Sequence, residues 1–169
     1  MKIQDLYEEL KEKPFFQKFQ SENPEAFLYA GFFVLDLEQD CEKIQLDIYN
    51  KKENRIEIVE FPFEQIKVQE NILPGMEEKP IIPEEMKELN LDLKVDIDDL
   101  KERSKEIINA NEASTRPTKI IAVIKDDEWN LTCMDNALGV VNMKINAKTG
   151  EQISFKKSSL MDILKVKKP

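Results

Sequence analysis

The chain has 169 residues, 35% charged residues and a formal net charge of −9, a composition typical of a globular protein with one domain or two small ones. Nucleic acid and anionic membranes attract basic surfaces, so neither is expected as a partner of this acidic chain. The absence of histidine removes the commonest general base and metal ligand. The sequence therefore favours a protein without catalytic activity and without a cofactor.

The same composition bears on localisation and redox state. The first sixteen residues carry charges where a signal peptide needs an apolar run, and no stretch approaches the roughly 20 apolar residues of a membrane span. We therefore expect a cytoplasmic protein. Cys41 and Cys133 lack the close spacing of metal-binding cysteines, which predicts two thiols in a reducing compartment, with a disulfide as the alternative.

The N-terminal residues predict a helical region. Ile3, Leu6 and Leu10 recur at helical spacing between charged residues, which is the pattern of an amphipathic helix. Pro14 is expected to end or kink this helix. The phenylalanines that follow continue an apolar face and predict a second short helix that ends near residue 20.

Strands are predicted next. Residues 26–37 are almost wholly apolar and predict a central strand, at least over residues 32–37, with a bulge or a close backbone approach at the glycine before them. Residues 43–50 and 56–58 alternate apolar and polar side chains, and residues 66–68 suggest one more strand. The first half is thus predicted to be a helical region followed by three or four antiparallel strands.

A change in composition follows this half. Residues 74–95 contain prolines and many acidic side chains, and residues 74–83 in particular predict a linker or an extended arm. Between Glu77 and Glu102 the chain has ten acidic residues and four lysines. This acidic run is either a docking surface for a basic partner or a connection that faces water.

The second half repeats the order of elements. Asp96 is expected to cap a helix whose buried side is marked by residues such as Leu100 and Ile107. Residues 120–124 predict a short buried strand. Residues 129–133 alternate apolar and polar side chains and predict another strand.

The clearest pattern in the sequence is a β-hairpin over residues 138–157. Apolar and polar residues alternate over residues 141–145, and Gly150 allows the positive φ that a tight connection needs. A terminal helical turn is expected over residues 160–164, before a basic end.

These elements predict an α+β fold made of two helix-plus-antiparallel-sheet halves, each α-β-β-β-β. The expected boundaries are residues 1–73 for the first half, 74–95 for the linker and 96–169 for the second half. Without a gap, the hairpin that contains Ile48 aligns with the hairpin that contains Ile145. This internal similarity predicts a tandem duplication.

The second half resembles a PepSY module over about residues 96–157. Its helix, the strand that contains Trp129 and the strand–NAKTGE–strand hairpin carry the resemblance. The resemblance implies one helix on an antiparallel sheet and a non-catalytic binding or inhibitory module that often acts on peptidases, with the first half as a degenerate second copy. Members of that family are usually exported or attached to a membrane. The same pattern also resembles a cystatin-like fold, in which a helix packs on an antiparallel sheet.

One candidate site is aromatic. Phe15, Phe19, Phe32 and Trp129 are expected to line an apolar cone between helix and sheet, where a small molecule would bind. The alternative interpretation is an ordinary helix-on-sheet core, in which aromatic residues are common.

A second candidate site is acidic. Asp126, Asp127 and Glu128 are three adjacent carboxylates, and carboxylate oxygens are the ligands that Ca²⁺ and Mg²⁺ prefer. They would support a metal-dependent hydrolase. The alternative interpretation is a polar turn between two strands.

The sequence favours a non-enzymatic binding or protein-interaction module with an inhibitory or regulatory role. Its expected partner is another protein or a second copy in a homodimer. Small-molecule binding in the aromatic cone and hydrolysis with a carboxylate-bound metal are the alternatives.

Overall fold

The computed structural model describes residues 1–39, 41–68 and 80–159. Short 3₁₀ helices lie at Pro83–Glu85 and Ile97–Asp99. The α-helices and β-strands are α1 (Ile3–Lys11), α2 (Pro14–Glu22), β1 (Phe27–Asp36), β2 (Cys41–Asn50), β3 (Arg55–Glu60), β4 (Lys67–Val68), α3 (Leu100–Ala110), β5 (Lys119–Lys125), β6 (Glu128–Met134), β7 (Gly139–Asn146) and β8 (Gln152–Ser159).

The eight strands of the described residues form one sheet in the order β4-β3-β2-β1-β5-β6-β7-β8. β1 and β5, the first strands of the two halves, pair antiparallel at the centre, where Phe33 lies opposite Ala122. From there each half adds its strands outward in chain order. The predicted α+β class is confirmed, and the two halves share one continuous sheet.

The topology defines which hairpins occupy corresponding places in the two halves. Counting outward from the centre, β2–β3 takes the place in the first half that β6–β7 takes in the second. The ungapped alignment of Ile48 with Ile145 instead places β2 on β7. Tandem duplication stays a prediction, and in this sheet it would require a gap in that alignment.

α1, α2 and α3 pack on one face of the sheet, here called the inner face. Side chains alternate between the two faces along each strand, and Ile120, Ala122 and Ile124 of β5 are completely buried on the inner face. They belong to one hydrophobic cluster that includes buried residues of α1, α2 and α3. The two halves therefore share a core as well as a sheet.

Local patterns located several elements correctly. α1 ends at Lys11, and Pro14 is the first residue of α2, where its fixed φ suits a helix start. The predicted hairpin is β7–β8, and Gly150 has a φ of +80° in its turn. β1 begins at Phe27, before residues 32–37, over which the sequence predicted the strand.

At Gly31, where a bulge or a close backbone approach was predicted, a side chain lies against the backbone, and the register shifts of β1 lie elsewhere. A Cβ atom at this position would lie 2.7 Å from Cε2 of Phe33 and 3.2 Å from Cγ2 of Ile124. The Phe33 ring thus folds over Gly31, and its centroid lies 5.9 Å from the ring centroid of Trp129. A larger residue at this position would push Phe33 out of that contact.

The described part of the predicted linker is bound to both halves. The N–H of Leu89 donates to the carbonyl of Leu28 at 2.8 Å, and the N–H of Val95 donates to the carbonyl of Ala147 at 3.0 Å. The side chains of Leu89 and Val95 are buried in the core. Over residues 80–95 the chain therefore packs against the sheet through apolar side chains, while its acidic residues and lysines stay exposed to water. Residues 74–79 and the helical turn predicted over residues 160–164 lie outside the described residues.

Asp96 joins the first turns of two helical regions. Its Oδ1 accepts hydrogen bonds from the N–H of Ile97 at 2.8 Å and from the N–H of Ile3 at 3.0 Å. Its own N–H donates to Oδ2 of Asp99 at 2.9 Å, which completes a capping box. Because Lys2 provides no side-chain cap, α1 obtains its N-terminal acceptor from the other half of the chain.

We expect Asp96→Ala to lower the free energy of unfolding by about 2–4 kcal/mol, because it leaves two N–H groups without their acceptor in a buried place. Asp96→Asn keeps one acceptor oxygen and should lose less. Asp5→Ala, which removes an exposed acidic residue from the first turn of α1, is the control. Urea unfolding followed by circular dichroism measures all three variants, and equal losses for Asp96→Ala and Asp5→Ala would contradict the capping role.

Candidate binding face of the sheet

The face of the sheet opposite the helices, here called the outer face, carries apolar side chains on its two central strands. Phe32 and Val34 of β1 pair with Val123 and Ile121 of β5, and we call these four residues the outer strip. All four are half-buried. None of them belongs to the clusters of buried side chains found in the described residues. The middle of the outer face is therefore apolar and partly open to water.

The sequences of β1 and β5 explain the outer strip. Both strands are nearly continuous apolar runs, and alternation directs Phe33 and Ala122 into the core but Phe32 and Val123 to the outer face. Strands that are apolar on both faces are typical of sheets that are covered on both sides. The described helices pack on the inner face, and none of them lies over the outer strip.

A segment before α3 covers one end of the outer face. Ile81 and Met86 pack against a cluster that contains Tyr29 and Tyr49. The carbonyl of Ile81 accepts a hydrogen bond of 3.3 Å from Nδ2 of Asn54, whose Oδ1 accepts one of 2.7 Å from the Tyr49 hydroxyl. These contacts fix the segment at the Tyr49 end of the sheet and do not include the outer strip.

Asp47 is a half-buried carboxylate on the outer face of β2. It pairs with Ala30 of β1 and with Ile58 of β3, so apolar residues flank it on both sides. Burial raises the pKa of Asp47 to about 6, against the opposing effects of a 2.8 Å hydrogen bond from Nε2 of Gln45 and of the Lys43 charge. A carboxylate with a raised pKa on an open face is typical of a binding surface.

Charges of both signs lie beside the outer strip. Nζ of Lys43 is 5.5 Å from the ring centroid of Phe32, close enough for a cation–π contact. Asp36 and Lys119 face each other across β1 and β5 at one end of the strip. An apolar centre with a charged rim is the composition of many protein interfaces.

Cys133 is a poor nucleophile in this structure. It lies on the inner face of β6 and is completely buried. Burial raises the pKa of its thiol to about 12, so the thiol stays protonated at neutral pH. Cys133 is a free thiol, which excludes the alternative of a disulfide with Cys41. The Sγ of Cys41 instead donates to the carbonyl of Val34 at 3.3 Å.

The aromatic residues predicted to line a ligand cone do not all lie on one face of the sheet. Phe15 and Phe19 lie on α2, where they are half-buried against the core. Trp129 is completely buried on the inner face of β6, and its Nε1 donates to the carbonyl of Val95 at 2.8 Å. With its ring enclosed and its N–H bonded, Trp129 acts as a core residue.

Phe32 lies on the opposite face of the sheet from Trp129. The neighbouring residue, Phe33, makes the contact with Trp129 that the sequence assigned to Phe32. A continuous apolar run does not show which of two adjacent residues faces the helices, and this is why the prediction placed Phe32 there.

Asp126, Asp127 and Glu128 lie at the turn between β5 and β6. Asp126 and Asp127 have φ values of 50° and 62°, which is the geometry of a two-residue type I′ hairpin turn. Oδ2 of Asp127 lies 3.6 Å from Nζ of Lys148. Among the residues that the structure describes, no group of three or more Asp, Glu, Cys or His is arranged to hold a metal.

Part of the acidic run lines a surface groove. The groove has a volume of about 500 Å³ and lies between α3 and the β7–β8 turn. Arg103 donates from Nε and Nη2 to the carbonyl of Gly150 at 3.1 and 2.6 Å and ties the two walls together. A basic partner for this groove stays a prediction. Its acidic lining residues are Asp98, Asp99, Glu102, Glu106 and Glu151.

Three members of the outer strip were not predicted from the sequence: Val34, Ile121 and Val123. The pattern that identifies them was present, because apolar residues at consecutive positions in a strand place apolar side chains on both faces. Their juxtaposition depends on the pairing of β1 with β5, which no local pattern shows.

Comparison with known proteins gives one distant structural similarity. No protein-family model matches the chain, and no curated protein matches it. The crystal structure of a putative lipoprotein from Clostridium difficile 630 is similar to it over 88% of this chain and 98% of that protein, with 13% sequence identity and a TM-score of 0.47. Within the described residues, no helix is both long enough and apolar enough to span a membrane.

We expect Asp47→Asn to stabilise the protein at pH 8. The folded-state pKa of about 6 exceeds the ordinary value of 3.8, so the folded state binds the proton more tightly. The contribution of Asp47 therefore favours folding below pH 3.8 and is lost as the pH rises through 6. Removing the charge should raise the free energy of unfolding at pH 8 by about 1–3 kcal/mol.

Urea unfolding at pH 4, 6 and 8 measures this effect (about two pH units on either side of the folded-state pKa). Asp92→Asn, which changes an exposed aspartate, is the matched control and should leave the pH dependence close to that of the parent chain. The same pH dependence in Asp47→Asn and the parent chain would show that Asp47 is not a desolvated carboxylate.

Proposed function

We propose that this chain is a non-catalytic protein-interaction module that forms a homodimer through the outer strip. The observation that carries the proposal is the apolar centre of the outer face, where four half-buried side chains lie on the two middle strands without a described helix over them. A second copy placed face to face would bury both strips at the spacing of about 10 Å that packed sheets adopt.

The outer strip suits a second copy as the partner, because all four of its side chains are apolar. β1 and β5 are antiparallel, and a twofold axis between Phe33 and Ala122 relates Phe32 to Ile121 and Val34 to Val123. An isologous dimer uses the same patch on both subunits, and the apolar side chains of one outer strip would pack against those of the other. Asp36 and Lys119 add both signs of charge at the end of the strip.

The chemistry of the chain supports binding over catalysis. The sequence contains no histidine to activate a nucleophile. The Cys133 thiol is held in its protonated form by burial. The carboxylates of Asp126 and Asp127 belong to a hairpin turn, and Asp47 is placed among apolar neighbours on the face where we propose association.

The resemblance to PepSY and cystatin-like modules extends the proposal to a regulatory role. In the second half, α3 packs on the same sheet as β5–β8, which agrees with the helix-on-sheet arrangement that the resemblance implies. We propose that the module acts on a protein partner in the cytoplasm. The net charge of −9 disfavours nucleic acid and anionic membranes as ligands.

Sedimentation equilibrium over a range of micromolar concentrations tests the dimer. We expect a dimer for the parent chain and a monomer for Val123→Lys, because this variant would bury two like charges in the contact. Gln17→Lys adds the same charge on the exposed surface of α2 and should leave the dimer intact.

Circular dichroism and thermal unfolding show whether Val123→Lys is folded. Val34→Thr provides a milder variant that keeps the shape and the strand preference of valine, and it should weaken dimerisation without loss of the fold. A parent chain that stays monomeric at every concentration, or a Val123→Lys variant that is folded and still dimeric, would contradict the proposed interface.

A further inference from the structure

The two edges of the sheet differ in length and exposure. β4 forms one edge with two residues, Lys67–Val68, and β8 forms the other with eight, Gln152–Ser159. In the described part of the chain, β7 is the one strand that pairs with β8. In an antiparallel strand alternate N–H and C=O groups point away from its neighbour, so on one side of β8 the backbone groups have no strand partner among the described residues.

The side chains of β8 are open to water. Ile153 is 47% exposed, and Lys156 and Lys157 are exposed on opposite faces of the sheet. Phe155 is half-buried against the core. An extended chain that added to this edge would therefore find backbone partners, an apolar contact and a cation on each face.

The β7–β8 hairpin is locally basic in an acidic protein. Residues 139–159 contain four lysines and one glutamate, whereas the whole chain has a net charge of −9. A positive edge on a negative body attracts an acidic segment to that edge and repels it elsewhere. This charge pattern selects both the place and the kind of partner.

We infer that β8 is a docking edge for an extended acidic segment of a partner protein, which adds to the sheet as a ninth, antiparallel or parallel strand. Addition of a strand supplies main-chain hydrogen bonds for affinity, and alternate side chains provide specificity. Acidic side chains of the partner would lie beside Lys156 on the outer face and beside Lys157 on the inner face.

A second copy of β8 is a poor occupant of the same edge. Pairing of two β8 strands would bring Lys156 and Lys157 of one copy close to those of the other, and like charges on adjacent strands destabilise a sheet. Exposed lysines on an edge strand are a device by which proteins prevent such self-pairing. The inference rests on the proposed function as an interaction module but uses a different surface from the outer strip.

The test uses the full chain and a synthetic peptide of repeating Glu-Glu-Val-Val as the glutamate–valine probe, because this order places glutamates on both faces of a strand. We expect the peptide to bind and to slow hydrogen exchange at β8 amides, measured by NMR. A peptide in which lysine replaces glutamate should not bind. A glutamate–valine peptide that is N-methylated at every backbone nitrogen keeps its charge but has no N–H group for a ladder on either edge, so it should not bind either.

Charge reversal on β8 completes the test. Lys156→Glu/Lys157→Glu should weaken binding of the glutamate–valine peptide about tenfold or more, by loss of two ion pairs and gain of repulsion. Lys18→Glu/Lys105→Glu makes the same change in net charge at exposed positions of α2 and α3, and this control should bind the peptide as the parent chain does.

Three results would overturn the inference: no binding of the glutamate–valine peptide, equal binding of its N-methylated form, or protection of amides elsewhere than on β8. Dimerisation through β8, detected as loss of the dimer in Lys156→Glu/Lys157→Glu but not in Val123→Lys, would also overturn it. A parent chain that is monomeric and binds the peptide at β8 would contradict the outer-strip dimer while supporting the docking edge.

Discussion

The antiparallel pairing of β1 with β5 determines which surfaces of this chain are buried. These two strands are the most apolar in the sheet, and each half alone would expose one of them as an edge. Pairing them satisfies their backbone groups and merges the two cores, since Phe33 and Ala122 face the same helices. The same pairing places Phe32 beside Val123 on the other face. One contact between the halves therefore creates both the shared core and the outer strip.

A second connection between the halves lies at the helix termini. Asp96 accepts hydrogen bonds from Ile3 and Ile97, so the first turn of α1 depends on the residue that caps the 3₁₀ helix Ile97–Asp99 before α3. Just before Asp96, the backbone of Val95 binds both the hairpin, at Ala147, and the indole of Trp129. The sheet fixes the strands of the two halves, and this short segment fixes the helices above them. Loss of either connection would leave polar backbone groups unpaired in a buried place.

The sequence predicts those parts of the fold whose information is local. Alternation located β2, β6 and the β7–β8 hairpin, because the apolar residues of a half-buried strand occupy every second position and so mark its buried face. The order of the strands is not local, and nothing in β1 or β5 specifies that they pair. A continuous apolar run also does not show which of its residues face the helices, so Phe32 was assigned the contact that Phe33 makes. The raised pKa of Asp47 depends on Ala30 and Ile58, which neighbouring strands bring to it, and could not be predicted from residues 43–50.

The two exposed surfaces of the sheet, the outer strip and the β8 edge, differ in how well each fits a second copy of the chain. The outer strip is apolar and has charges of both signs at one end, Asp36 and Lys119, so a second copy could bury the strip without placing only like charges together. The β8 edge carries lysines on both faces, which makes it a poor match for itself and a good match for acidic chains. A dimer formed through the outer strip would use the centre of the face. β8, three strands from that centre in the sheet order, would keep its outward backbone groups available for a different partner.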